Sequence, residues 1–313
     1  IIRTPKATVT DTTNYVVTSS GPGGCIAKDT VTVRWIPRIA NAGTDSILCS
    51  NSSRIVGQNQ PIGYKYYQYQ WTPSAGLDSD TSFRTLATLT NSGSTNQVFT
   101  FVQKATHRES GCLSTDTVRL SVKPLPVVNA GPDTATICSG SKTIIGTDES
   151  ESATYSWSPV NGLFSPNQDT TTVSLNPDSV NPHFVRYYLT KTEVLISPLD
   201  GEPSCVNSDS ILVRINPLPF FDLSDKDSIC SGLSTTIGTT GVNGFAYTWS
   251  PDRGLSNNTS AQTQISLTNL TQNPGDTLYT LLVTNSSTTC AREKSINIRV
   301  NPLPIVRAGS DTT

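Results

Sequence analysis

The chain has 313 residues, enough for two or three ordinary domains that each bury a core, and it has no Met, 20 Pro, 21 Gly and only 15% charged residues. A formal charge of −2 leaves no electrostatic footprint for nucleic acid or an anionic membrane surface, and no local basic run supplies one. No apolar stretch approaches the roughly eighteen residues of a membrane span, and Ile1-Ile2-Arg3-Thr4-Pro5 lacks a signal-peptide layout, so an export signal is expected elsewhere.

Thr and Val suit pleated surfaces, while Gly, Pro, Asn and Ser make turns, so the chain reads as all-β, short strands between many turns. It matches itself at a period of roughly 90 residues, the size of a whole sandwich domain. One anchor is Ile-Leu-Cys49-Ser, Thr-Ile-Cys138-Ser-Gly and Ser-Ile-Cys230-Ser-Gly, each followed by an apolar pair and Gly57, Gly146 or Gly238. A second is Tyr69-x-Trp71-x-Pro73, Tyr155-x-Trp157-x-Pro159 and Tyr247-x-Trp249-x-Pro251, each followed by Gly-Leu. The third is a late cysteine (Cys25, Cys112, Cys205, Cys290), an alternating strand, and then, in the last three cases, Pro-Leu-Pro.

In chain order, residues 1–37 read as the C-terminal half of one repeat, 38–124, 125–217 and 218–302 as three whole repeats, and 303–313 as the start of another. In the second copy, period-2 runs fall at Val127-Val128, 135–138, 143–145, 154–157, 172–175, 184–192 and 210–215. Seven short strands predict a seven-stranded, immunoglobulin-like or PKD-like β-sandwich with Trp71, Trp157 and Trp249 central and Tyr69, Tyr155 and Tyr247 on the same strand face. The Pro-Leu-Pro linkers fix φ and remove donors, which predicts tandem sandwiches in an extended rod.

Seven cysteines are explained by register. The expectation is one disulfide per whole repeat, Cys49 with Cys112, Cys138 with Cys205 and Cys230 with Cys290, while Cys25 pairs outside these residues. Pairing across linkers, 25 with 49, 112 with 138 and 205 with 230, is disfavoured, since 26 intervening residues reach roughly 85 Å when extended. With parallel first and last strands, the intra-repeat pairs are expected to meet. A loop of about 60 residues closed in this way contributes on the order of 4 kcal/mol in a chain-entropy account. Disulfides imply an oxidising, extracytoplasmic setting.

Catalytic groups should recur with partners, and none does: the two histidines, His107 and His183, read as surface residues, and no enzyme is expected. Asp45, Asp133, Asp227, Asp116 and Asp209 are candidate calcium ligands at junctions, although turn chemistry is the stronger reading of each and no metal site is assigned. Tyr64, Tyr66, Tyr67 and Tyr69 form a run that suits an exposed, adhesive face.

Taken together, Ala-Gly-x-Asp-x-x-x-x-Cys-Ser-Gly, Tyr-x-Trp-x-Pro-x-x-Gly-Leu, then Tyr-x-Leu, and a late Cys strand ending Asn-Pro-Leu-Pro resemble the immunoglobulin-like or PKD-like repeats of very large Bacteroidota surface proteins. The resemblance covers the whole chain; the third copy departs from it, with Asp222-Leu223-Ser224-Asp225 at its opening. It implies export by type IX secretion, a gliding-motility-associated cell-surface setting, and O-glycosylation at Asp-Ser/Thr pairs. The acceptors so implied are Thr12, Thr30, Ser46, Thr117, Thr134, Thr170, Ser179, Ser210, Ser228, Thr277 and Thr312. The expected role is a non-catalytic stalk or filament segment of a secreted, cell-surface adhesin, with neighbouring repeats of the chain as partners. The alternatives are an array that binds extracellular polysaccharide, or an extracellular fibre or sheath in which copies of the chain associate.

Overall fold

The structure, a computed structural model, describes residues 4–147, 153–193, 204–223, 228–307 and 309. Asp227 and Thr312 lie outside the described residues. The described helix comprises two single-turn 3-10 segments, Pro22–Gly24 and Tyr64–Tyr66; the rest of the regular structure is strand. Two compact units result, one of Ile1–Pro126 with Thr192–Val206 and one of Val127–Lys191 with Asn207–Thr313.

In the first unit a hairpin, β1 (Thr13–Ser20) and β2 (Ile26–Val33), precedes β3 (Ser46–Cys49), β4 (Ser52–Gly57), β5 (Tyr67–Thr72), β6 (Arg84–Leu89), β7 (Gln97–His107) and β8 (Leu113–Lys123). The latter six make a four-stranded sheet of order β3-β8-β7-β5 facing a two-stranded sheet β4-β6. The same order recurs in β9 (Thr134–Cys138), β10 (Lys142–Ile145), β11 (Ala153–Ser158), β12 (Thr171–Ser174), β13 (His183–Glu193) and β14 (Val206–Asn216). It recurs again in β15 (Ser228–Cys230), β16 (Ser234–Gly238), β17 (Phe245–Ser250), β18 (Gln262–Ser266), β19 (Gly275–Asn285) and β20 (Ala291–Asn301). The chain is therefore all-β, built of tandem immunoglobulin-like sandwiches.

Among the described residues each sandwich has six strands where the alternation predicts seven. The Val127-Val128 run does not join a ladder: Val127 is exposed, and Val128 packs on the core as extended chain. This lead-in is held by a side chain instead, because Asp209 Oδ2 accepts the Ala130 N–H at 2.9 Å and Ala130 is fully buried. Asp116 Oδ2 does the same for Ala42 at 2.7 Å. These two carboxylates are thus backbone acceptors, a use that accounts for them without calcium. The third copy reverses the polarity. Val118, Ile211 and Ile296 are buried at one place in the three closing strands, and two residues earlier stand Asp116, Asp209 and Lys294. The Lys294 ammonium bonds Asp222, which follows the buried Phe221 in the lead-in as Asn129 follows Val128. The third copy thus ties its lead-in to the closing strand through an ion pair, where the others use a carboxylate and a backbone N–H.

The cores follow from period 2. Strand β5 alternates buried and exposed along its whole length, and Trp71, Trp157 and Trp249 are nearly inaccessible. Each indole N–H donates to a loop carbonyl eleven residues on, of Ser82, Gln168 or Ser260, at 2.8, 2.9 and 3.0 Å. That bond satisfies the one polar atom of a large buried side chain. The Trp-x-Pro step places a cis peptide before Pro73, Pro159 and Pro251. The tyrosines two residues earlier divide. Tyr155 and Tyr247 lie beside the Trp cores, half-buried, whereas Tyr69 packs with Tyr67 and Ala105 in a separate cluster. The adhesive face expected at Tyr64 to Tyr69 is accordingly corrected: Tyr67 and Tyr69 are buried, and Tyr67 donates its hydroxyl to Pro37 O at 2.7 Å. Only Tyr66 of the four is well exposed.

The glycine after each apolar pair is set by close approach. Gly146 has φ +88°, and a Cβ there would stand 2.2 Å from Asp169 O. Gly57 and Gly238 meet the equivalent carbonyls at 2.3 and 2.1 Å. Gly146→Ala should lower stability by about 3 kcal/mol, since the residue must both adopt a left-handed φ and displace backbone. Urea titration of the chain by tryptophan fluorescence reads this, and an unchanged midpoint would contradict it.

The tyrosines of the Tyr-x-Leu step, Tyr187 and Tyr279, are fully buried and bond Asn161 O and Arg253 O at 2.6 and 2.5 Å. Burial raises both phenols above their ordinary value, and burial with the neighbouring Tyr67 pushes Tyr69 up to about 12. The unfolded chain ionises these phenols near pH 10, so stability present below pH 10 falls as pH rises toward 12. Absorbance at the phenolate band should show a late tyrosine fraction that ionises together with loss of the tryptophan core signal. Complete titration near pH 10 with the fold intact would refute the burial assignment.

Candidate functional site: staggered disulfides

The feature common to all copies that carries chemistry is cysteine. In each sandwich the opening strand lies parallel to the closing strand, with Cys49 opposite Lys123, Cys138 opposite Asn216 and Cys230 opposite Asn301. The following serine continues the ladder: Ser50, Ser139 and Ser231 donate their N–H to the same three carbonyls at 2.8 Å. The early cysteine therefore sits where the closing strand ends. The late cysteine sits where it begins, just after the hairpin turn, with Cys112 O and Cys290 O accepting from His107 and Asn285 across that turn.

Closing strand β8 is eleven residues long, so Cys112 and Cys49 stand about 35 Å apart at opposite ends of one sandwich. A disulfide allows about 5.5 Å between Cα atoms. The expected pairs 49–112, 138–205 and 230–290 are thereby corrected. Parallel strands were the right premise; the cysteines lie at opposite ends of them.

The bonds that form are staggered by one repeat. Cys49 bonds Cys205 with Cα atoms 5.4 Å apart, and Cys138 bonds Cys290 at 5.5 Å. An early cysteine thus joins the late cysteine of the following copy, across 156 and 152 residues. Cys205, in the distal part of the β13–β14 hairpin, belongs to the first compact unit together with Cys49. Cys205 and Cys290 are fully buried, whereas Cys25, Cys112 and Cys230 are free and exposed.

The remaining candidates are dispersed. Thr12, Thr30, Thr117, Thr134, Ser179 and Ser228 are exposed, and Ser46, Thr170, Ser210 and Thr277 are half-buried. Ser46, Thr134 and Ser228 each start an opening strand, while Thr30, Thr117 and Ser210 lie within ladders. Asp45 accepts the Arg119 N–H at 2.8 Å and pairs with its guanidinium at 3.9 Å. Among the described residues no three His, Cys, Asp or Glu side chains gather as a metal site. His107, expected at the surface, is half-buried, its ring edge-on to Tyr67 at 5.1 Å; His183 is exposed. No described helix is long and apolar enough to cross a membrane.

Peptide mapping of unreduced, alkylated chain should yield Cys49 linked to Cys205 and Cys138 linked to Cys290, with Cys25, Cys112 and Cys230 alkylated. A Cys49–Cys112 peptide would overturn the stagger.

No protein-family model matches the sequence, and no curated protein does either. Among solved structures the chain is similar to three immunoglobulin domains of titin, in a mutated variant, at TM-score 0.36 and 10% identity, covering 84% of this chain and 97% of that one. It is similar to the eight N-terminal immunoglobulin domains of Down syndrome cell adhesion molecule at TM-score 0.38 and 12% identity, covering 94% and 40%. It is also similar to three extracellular domains of mouse cadherin-23 at TM-score 0.27 and 12% identity, covering 84% and 96%.

Proposed function

We propose that the chain is a non-catalytic, tension-bearing segment of an extracellular adhesin-type protein, in which 38–124, 125–217 and 218–302 are repeat domains. The observation that carries this reading is the stagger of the disulfides. A bond within one sandwich protects that sandwich alone; a bond from each copy to the next places a covalent tie across the linker, where a tandem array is otherwise weakest. Disulfides persist in oxidising, extracytoplasmic surroundings, which supports an extracellular setting. The finer reading follows the motif resemblance: a Bacteroidota surface protein exported by type IX secretion, used in attachment or gliding, with O-glycans on the exposed Asp-Ser/Thr hydroxyls.

The alternative of a polysaccharide-binding array draws on one groove of the first copy, lined by Tyr64, Lys65, Tyr67, Gln70, Phe83 and Arg108. Its aromatic rings and cations are suited to a sugar face, but Tyr64, Lys65 and Phe83 have no counterparts of the same type in the other copies.

Stretching the whole chain between its ends, oxidised and then reduced, tests the tension-bearing role. Reduction should lengthen the fully extended chain by about 600 Å, because the taut oxidised path crosses Cys49–Cys205, runs back to Cys138 and crosses to Cys290, whereas the reduced path runs the whole backbone from 49 to 290 at about 3.4 Å per residue. Equal lengths in the two states would refute it. Recognition of a polysaccharide by the whole chain on a glycan array would favour the alternative.

A further inference from the structure

The β1–β2 hairpin matches the closing hairpins of the three sandwiches, and among the described residues no opening strand pairs with β2. In the three sandwiches the closing strands β8, β14 and β20 each carry an opening strand on the edge away from the hairpin partner, whereas β2 pairs with β1 alone. The hairpin also leaves uncovered what the others bury. Its cross-strand pair Tyr15 and Val31 is 40% and 60% exposed, while the matching pairs Phe101 with Val118 and Tyr279 with Ile296 are buried.

Register says where a missing strand would end. Counting eleven residues from the late cysteine reaches Lys123 from Cys112, Asn216 from Cys205 and Asn301 from Cys290, the positions opposite the early cysteines. From Cys25 the same count reaches Ile36. Ile36 and Cys112 line one recess, together with Arg34, Tyr66 and His107. Cys112 itself is exposed and free, while its counterparts Cys205 and Cys290 are bonded to early cysteines.

We propose that the β2 edge and the Cys112 recess form a strand-capture site. Its occupant is an extended strand reading apolar-Cys-Ser, the type that opens each sandwich of this chain. The strand lies parallel to β2, its serine N–H donates to Ile36 O, and its cysteine bonds Cys112 and not Cys25. In bond formation two thiols become one disulfide, and their two electrons and two protons reduce a small-molecule disulfide to two thiols. Cys25 is the control, because among the described residues no closing strand precedes its hairpin to hold a peptide. Cys230 is a second control, because it sits in an opening strand and needs a hairpin cysteine.

The test uses the whole chain and a synthetic copy of residues 133–140, Asp-Thr-Ala-Thr-Ile-Cys-Ser-Gly, with its cysteine sulfur in a mixed disulfide with thionitrobenzoate. The Cys112 thiolate attacks the peptide sulfur, the new S–S bond forms, and thionitrobenzoate leaves with the electron pair of the broken bond. Peptide mapping by mass spectrometry reads the site of attachment. Strand docking raises the local thiol concentration, so Cys112 should be labelled at least about tenfold faster than Cys25 and Cys230. The reversed sequence, which places its cysteine at the wrong end, should lose that preference. A smaller preference for Cys112, or equal capture of the reversed peptide, overturns the proposal.

Discussion

The parallel ladder between the first and last strand of each sandwich governs the rest of the molecule. It needs only three to five residue pairs, Ser46 to Cys49 on Leu120 to Lys123 in the first copy, yet it decides which end of the sandwich holds which cysteine. An opening strand paired antiparallel would reverse the order of its residues along the closing strand and carry the early cysteine toward the hairpin turn. Parallel pairing puts it at the exit, next to the chain that leads into the following copy. The staggered bonds are the covalent outcome of that single choice.

The strand pattern, the copies and the buried tryptophans were legible because each depends on local periodicity. Alternation alone predicts that Trp71, Trp157 and Trp249 face inward, and their indole bonds complete that placement. Tyr69 shows where such reasoning stops. It has the same spacing from its tryptophan as Tyr155 and Tyr247, yet joins a different cluster, because Tyr67, Phe83 and Ile36 bring it a second apolar surface. Tyr187 and Tyr279 belong to alternating strands and to the Tyr-x-Leu step of the repeat, so both were readable as core.

The disulfides were half legible. Cysteine spacing identifies early and late sets without showing which end of a sandwich each occupies. A usable signal was present: eleven residues separate Cys112 from Lys123, and the early cysteine closes a run that leads in from the linker. Those two lengths already conflict with a bond inside one copy. The Asp209 and Lys294 contacts were beyond reach for another reason, since each joins residues more than seventy positions apart, and only the fold brings their polarity into one place.

The two bonded loops, 49 to 205 and 138 to 290, overlap instead of lying end to end. A single backbone cut anywhere between Cys49 and Cys290 therefore falls inside at least one loop, and the two pieces remain one molecule. Linkers 124–126 and 217–219, the stretches a protease would otherwise use to separate the copies, are both enclosed. Separating the two ends of this region takes a cut in each of the stretches 49–138, 138–205 and 205–290, or a single cut together with a reductant, so damage at one site does not amount to detachment.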